Sequence, residues 1–300
     1  MKTTKLLIIV FSVALIGGLL SCEYAGFQKT KGGMPYKIFH GKGEKPVKVG
    51  AFLKYHIINK LNDSILFDSH TGIPGYFRVD GNQQPYNITE ILLSLKKGDS
   101  VYAVQMVDSL LKENPMGLPP QFKKGDRLIT LLTVLDVIDS VDAYTADQNK
   151  EQELKAKSEI QDIENYLSKK NIKTQKTASG SFVEILEPGS GDLAEPGSHV
   201  SVKYTGTTFD GTTFDSNIDT SFHHTEPLEF TIGSRQMVNG FDEGIRALNK
   251  GAKARIYIPS IQAFGANPGQ GSKLKPYDNV IFYVEVLDVT PKPESTLDQK

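Results

Sequence analysis

Tyr204 and Asp215 are two polar side chains set among positions patterned to face inward, and they are where chemistry is first sought in this sequence. A phenol and a carboxylate withdrawn from water need hydrogen-bond partners, so the pair marks a pocket or a fixed internal bond rather than plain core. Around them stand Phe214, Phe230, Phe241, Phe264 and Phe282, with Met237, Val238 and Leu274 nearby in the chain. Taken singly, each of these is ordinary packing. Were they brought together, they would give an apolar hollow with two polar groups and no nucleophile.

Other reactive constellations are weaker. His223-His224 with Glu226 could supply metal ligands, but adjacent histidines point apart on a strand and no Cys or further His cluster accompanies them, so a solvated loop before Pro227 is expected and no metal. Asn267-Pro-Gly-Gln-Gly-Ser-Lys273 is glycine-rich yet lacks the strand-then-helix setting of a phosphate loop, and reads as a flap over the pocket. Cys22 is the single cysteine, which excludes disulfides. Basic and acidic residues nearly cancel, 34 against 35, so no electrostatic footprint of a nucleic-acid binder is present. No cofactor is expected.

The elements that must hold the hollow can be read locally. Val200, Val202 and Tyr204 alternate with polar residues as one strand, and Asp210-Gly211 turns the chain into a second that carries Phe214. Phe241, Ile245 and Leu248 fall at helical spacing, with Asn239 as the expected start and Gly251 as the stop. One apolar face of that helix therefore meets the sheet.

In order along the chain stand Val202-Lys-Tyr-Thr-Gly206, Asp210-Gly-Thr-Thr-Phe-Asp-Ser216, Pro227-Leu-Glu-Phe230, Gly240-Phe-Asp-Glu-Gly244, Ile258-Pro-Ser-Ile-Gln-Ala-Phe-Gly265 and Val280-Ile-Phe-Tyr-Val-Glu-Val286. This ordered set resembles the FKBP-type peptidyl-prolyl cis-trans isomerases, well over residues 176–291 and weakly before them. The resemblance implies an α+β fold in which an antiparallel sheet curls around a short helix. It also implies catalytic roles for Tyr204, Asp215, Phe241 and Phe264, and substrate contacts from Phe214, Phe230, Met237, Val238, Leu274 and Phe282. Phe241 would be the floor under a proline ring, and the Val238 N–H an anchor for substrate backbone. Two residues depart from the family's usual pattern: Phe241 stands where tryptophan is common, and Phe264 where a tyrosine would donate a hydrogen bond. Loss of one such bond, about 0.5–1.5 kcal/mol, implies activity lowered roughly three- to tenfold rather than abolished.

At 300 residues, with 39% apolar and 23% charged side chains, the chain has room for two cores. The first half repeats the later pattern: Val49-Gly-Ala-Phe-Leu-Lys-Tyr55 parallels Pro196 to Tyr204, Leu66-Phe-Asp-Ser69 parallels Thr213-Phe-Asp-Ser216, and Ile88, Leu92 and Leu95 parallel the helix stripe, with Asn87 as cap. Duplication explains that shared order. Ile88 in the aromatic's place, and Val104 to Leu111 in place of the Ile-Pro segment, predict a scaffold without the full pocket. Two FKBP-like domains joined by a helical linker result, divided as 1–21 signal peptide, 22–33 tether, 34–141 degenerate domain, 142–175 linker, 176–291 isomerase domain and 292–300 tail.

The signal reading rests on Lys2 and Lys5 ahead of the apolar run Leu6 to Leu20, and Leu19-Leu-Ser-Cys22 resembles a bacterial lipobox, with Cys22 as the lipidated residue. Expected partners are proline-containing client polypeptides and, through the lipid, a membrane of the bacterial cell envelope. A non-catalytic peptide-binding chaperone or assembly lipoprotein on the same fold is the alternative, and a ligand-binding lipoprotein with both domains as spacers a third.

Overall fold

The computed structural model describes residues 26–113, 118–269 and 271–292. The signal run, Cys22 and most of the tail lie outside them. The chain forms two compact units, Met1–Asp147 and Gln148–Lys300, and the boundary falls inside the long helix Val141–Lys169. No helix among the described residues is long and apolar enough to cross a membrane.

Apart from Ser190–Leu193 and Asn249–Lys250, which pair as a separate two-stranded sheet, the second unit is built on a seven-stranded antiparallel sheet. Its strands run in the order Thr213–Ser216, His199–Thr208, Val280–Thr290, Lys253–Ile258, Phe182–Glu187 and Gln175–Lys176, with Leu228–Thr231 pairing the start of His199–Thr208. The alternation read from the sequence is realised: Val200, Val202 and Tyr204 are buried while Ser201 and Lys203 are half-exposed. Gly211, at φ +92°, makes the turn after Asp210, where a β-carbon would strain the backbone.

The helix Asn239–Ile245 lies against the sheet through two glycines. A β-carbon on Gly240 would stand 2.2 Å from Ile258 Cγ2, and one on Gly244 2.5 Å from Ile256 Cγ2. The helix therefore sits close enough to press Phe241 into the core. Asn239 is not its cap: Val238 holds that place, and the Asn239 amide instead donates to Gln262 Oε1 at 2.8 Å. The helix stops at Ile245, and Leu248 is buried in the turn that follows.

The far face of this sheet is covered by the long helix. Ile163, Leu167, Phe182 and Tyr257 form a separate buried cluster there, flanked by Ile160, Tyr166, Phe209 and Ile281. Glu159, only 2% exposed, places its carboxylate on the Ser260 hydroxyl at 2.5 Å and the Ile261 N–H at 3.3 Å, with Lys155 at 3.2 Å. A buried carboxylate is tolerable only with such partners.

The first unit has the same strand order: Gln28–Lys29, Pro35–Phe39, Ser100–Met106, Arg127–Ile138, Phe52–Leu61 and Ser64–Asp68, with Gly75–Arg78 pairing the start of Phe52–Leu61. Because Gln28–Lys29 pairs with Pro35 and Tyr36, ordered sheet begins inside the stretch expected to be a tether. Register shifts also coincide. The long strand slips against the closing strand between Ser201 and Val202 in one unit and between Lys54 and Tyr55 in the other. Against the hairpin strand it slips between Gly206 and Thr207, and between Asn59 and Lys60.

That frame corrects the letter match between the halves. Tyr204 pairs with Val284, and the residue so placed in the first unit is Ile57, opposite Leu132, rather than Tyr55. Gly206 faces Asp215 on one side and Phe282 on the other; Asn59 faces Phe67 and Thr130. Shared motif letters thus lie one or two residues away from shared positions. The first unit has Ile57, Phe67 and Thr130 where the second has tyrosine, aspartate and phenylalanine. In place of an α-helix, two single 3₁₀ turns, Ile88–Glu90 and Leu92–Ser94, follow Asn87, whose side chain caps the first by accepting from Thr89 N. The β-branched Ile88, Thr89 and Ile91 disfavour a continuous helix there.

Candidate functional site

The pocket of the second unit is a hollow of about 200 Å³, open to solvent on one side and lined by Tyr204, Phe214, Asp215, Leu228, Gln236, Met237, Val238, Phe241, Phe264 and Phe282. Eight of the ten residues singled out in the sequence thus meet on one surface. Phe230 and Leu274 do not: they are 2% and 7% exposed and belong to the core cluster beside the pocket.

The rings pack edge to face, apart from the tilted Phe230–Phe241 pair. Phe241 lies 4.9 Å from Phe282, 6.0 Å from Phe230 and 6.3 Å from Tyr204, and Phe214 meets Phe264 at 5.7 Å and Phe282 at 5.6 Å, both near perpendicular. Such T-shaped contacts fix ring orientation beyond what burial alone does. Gly206 makes room for two of them, since a β-carbon there would stand 2.5 Å from the Phe214 ring and 3.0 Å from that of Phe282. Gly206→Ala is expected to displace ring tips rather than backbone. Peptide affinity should therefore fall several-fold while the urea unfolding midpoint changes little; an unaltered affinity would show that the wall tolerates the methyl.

At the polar edge, the Tyr204 hydroxyl donates to Asp215 Oδ2 at 2.6 Å, and Asp215 Oδ1 lies 2.8 Å from His224 Nε2. Burial, reinforced by the hydrogen bond to the Asp215 carboxylate, pushes the Tyr204 phenol well above its ordinary value, so it stays a neutral donor. The backbone under it is tied down by Asn217, which is 1% exposed, accepts from Tyr204 N at 2.7 Å and donates to the Val202 and Glu226 carbonyls, each at 3.1 Å. His224, expected in a solvated loop, instead returns to the pocket edge. The chain turns at His223, whose left-handed backbone (φ 61°) closes the Thr220–Phe222 turn capped by Asp219.

The helix start supplies the remaining wall. The Val238 carbonyl accepts from Phe241 N and Asp242 N, both at 3.1 Å, while its own N–H donates to no acceptor among the described residues. Asp242 accepts from Gly233 N at 2.8 Å and pairs with Arg246 at 2.7 Å, fixing the segment that delivers Gln236 and Met237. Phe264 follows the Ser260–Gln262 turn, the same turn that Glu159 holds from behind. Of the expected flap, Lys273 Nζ reaches the Thr213 carbonyl at 3.2 Å, and no described residue of 267–273 is among the lining side chains. Sequence reasoning missed Leu228, Gln236 and His224. Leu228 alternates with buried Phe230 on its strand and was findable; the other two depend on turn geometry.

Residues 191–287 match the profile of the FKBP-type peptidyl-prolyl cis-trans isomerases. An FK506-binding protein of Neisseria meningitidis serogroup B is 38% identical over 110 residues, which are 37% of this chain and 96% of that protein. The chain belongs to the FKBP-type peptidyl-prolyl cis-trans isomerase family. An FKBP-type isomerase of Escherichia coli K12, FkpA, is 33% identical over 132 residues, 44% of this chain and 45% of that protein. The crystal structure of Escherichia coli FkpA aligns over 51% of this chain and 71% of its own with 28% identity and a TM-score of 0.37. The family match lies wholly within the second unit and contains every lining residue of the hollow.

Proposed function

We propose that residues 176–291 catalyse cis-trans isomerisation of Xaa-Pro bonds in client proteins of the bacterial cell envelope, with the chain held to a membrane by lipid on Cys22. The supporting observation is the aromatic hollow, with the Tyr204–Asp215 pair at its edge. Its volume suits one side-chain ring rather than a large ligand.

Rotation about an Xaa-Pro bond faces a barrier of about 18–20 kcal/mol, set by amide resonance. At the twisted transition state the carbonyl is less dipolar and the nitrogen recovers its lone pair. A dry, ring-lined site favours that less polar arrangement over the planar amide. Phe241 lies under the proline ring, with Phe214, Phe264 and Phe282 as walls and the unpartnered Val238 N–H taking substrate backbone. Tyr204 and Asp215 are bonded to each other, and the phenol is held neutral, so their part is to fix one polar edge rather than to move a proton.

An exchange assay on Xaa-Pro peptides tests the reading. Asp215→Val removes the acceptor of a buried hydroxyl and is expected to slow exchange about tenfold. Equal rates in wild type and variant would leave the edge without a role.

For residues 34–141 a second reading is favoured by Ile57, Phe67, Ile88 and Thr130 at the positions that carry the ring and polar groups in the other unit. That domain binds polypeptide or assembles without turning over, as a chaperone-like companion on the same scaffold.

A further inference from the structure

We infer that His224 is a positioning residue of the isomerase site, and that its protonation sets the charge at the mouth of the pocket and with it the preference for the residue before proline. The inference rests on the isomerase reading above.

Asp215 is clamped from both sides. Its Oδ2 accepts the Tyr204 hydroxyl at 2.6 Å and its Oδ1 meets His224 Nε2 at 2.8 Å. The imidazole lies 6.5 Å from the Tyr204 ring, at the edge of the wall. This placement is built into the loop. Ser216 Oγ accepts from Ile218 N and Asp219 N, Asp219 caps the Thr220–Phe222 turn, and left-handed His223 turns His224 back toward Asp215. Asn217 holds the far end of the loop through the Glu226 carbonyl.

Asp215 and His224 side chains are 40% and 47% exposed, so the pair stands at the rim. On the isomerase reading, a proline ring in the hollow is taken to leave the preceding residue at that same rim. With His224 neutral, the rim carries the Asp215 charge and repels an acidic side chain there; with His224 protonated the pair is neutral overall and the repulsion is lifted. Histidine is the side chain whose ordinary charge change falls between about pH 5 and 8. The other charged and titratable groups facing the loop are Asp219, His223 and Glu226 within it, and Lys273, whose ammonium lies 5.1 Å over the Phe222 ring. Asp219 and Glu226 add negative charge and Lys273 offsets part of it. None of these touches Asp215 as His224 does.

The experiment uses the full chain and two peptides, Glu-Pro and Gln-Pro, with kcat/KM for exchange measured from pH 5.5 to 8 in wild type, His224→Arg and His224→Gln. In wild type the Glu-Pro to Gln-Pro ratio should rise about two- to fivefold toward acid, the range of a part-exposed ion pair. His224→Arg should hold the acid-side ratio and His224→Gln the alkaline-side ratio at every pH, which a merely structural histidine would not produce. Exchange with superimposable ratios in all three proteins would overturn the inference and leave the isomerase reading standing. Absence of exchange at every pH would overturn that reading and the inference with it. Independently of turnover, the His224 Nε2 chemical shift should change in Asp215→Asn; an unchanged shift overturns the contact itself.

Discussion

Phe241→Ala is expected to lose about 3–5 kcal/mol of stability and most of the exchange activity of the second unit. Phe241 is 3% exposed, with its ring against Phe282, Phe230 and Tyr204. Truncation removes the transfer energy of a whole ring and leaves a void that the neighbours fill only in part, because the helix bearing it is already seated on Ile256 and Ile258 through Gly240 and Gly244. The same void opens onto the aromatic hollow and admits water. Each 1.4 kcal/mol of lost transition-state stabilisation is about a factor of ten, so exchange should fall at least about tenfold. Phe241→Leu separates the two effects: it keeps an apolar surface of nearby volume, and its stability loss should stay under about 1.5 kcal/mol. Urea midpoints and exchange rates measured on the same preparations decide the matter, and wild-type values for both in Phe241→Ala would remove the floor assignment.

A fragment beginning at Lys176 should be far less stable than one beginning at Gln148, by on the order of 5 kcal/mol, a large share of what holds a typical domain together. Without the helix, Phe182 and Tyr257 lose the cover of Ile163 and Leu167, and the Ser260 hydroxyl and Ile261 N–H lose the Glu159 carboxylate. The Ser260–Gln262 turn leads directly into Phe264, so the shorter fragment should also bind peptide more weakly even where it folds. Comparing the urea midpoints of 176–291 and 148–291 checks this, and Ile163→Asp in the full chain should reproduce the loss by burying a charge. Coincident midpoints would mean that the sheet face needs no cover.

Much of the pocket was legible because its determinants are local. Alternation and the Asp210-Gly211 turn put Tyr204 and Phe214 on paired strands, and the spacing of Phe241 and Ile245 announced a helix with one apolar face on the sheet. What escaped notice depends on contacts between segments far apart. Glu159 reads as one more charge on a polar helix, yet it is buried because a turn 101 residues later supplies a hydroxyl and an N–H. His224 reads as a loop residue until the αL turn at His223 is known. Phe230 and Leu274 carry the right residue types, but whether a phenylalanine forms the wall or the layer beneath it is decided by packing depth, which no spacing records. The halves were matched by letters, whereas pairing matches them by position, and the two alignments lie one or two residues apart.

The slips in the ladder, at the same places in both units, fix which residues of the neighbouring strands face the long strand, because the extra residue sits in the neighbour each time: Leu287 and Phe214 in one unit, Leu135 and Leu66 in the other. An extra residue flips the parity of its own strand beyond it, so the closing and hairpin strands of the two units change faces at matching points however far their side chains have diverged. Identity at any single site could therefore drift without forcing the backbone to rethread. The frame is set apart from the chemistry it carries: the same ladder holds Ile57, Phe67 and Thr130 in one unit and Tyr204, Asp215 and Phe282 in the other.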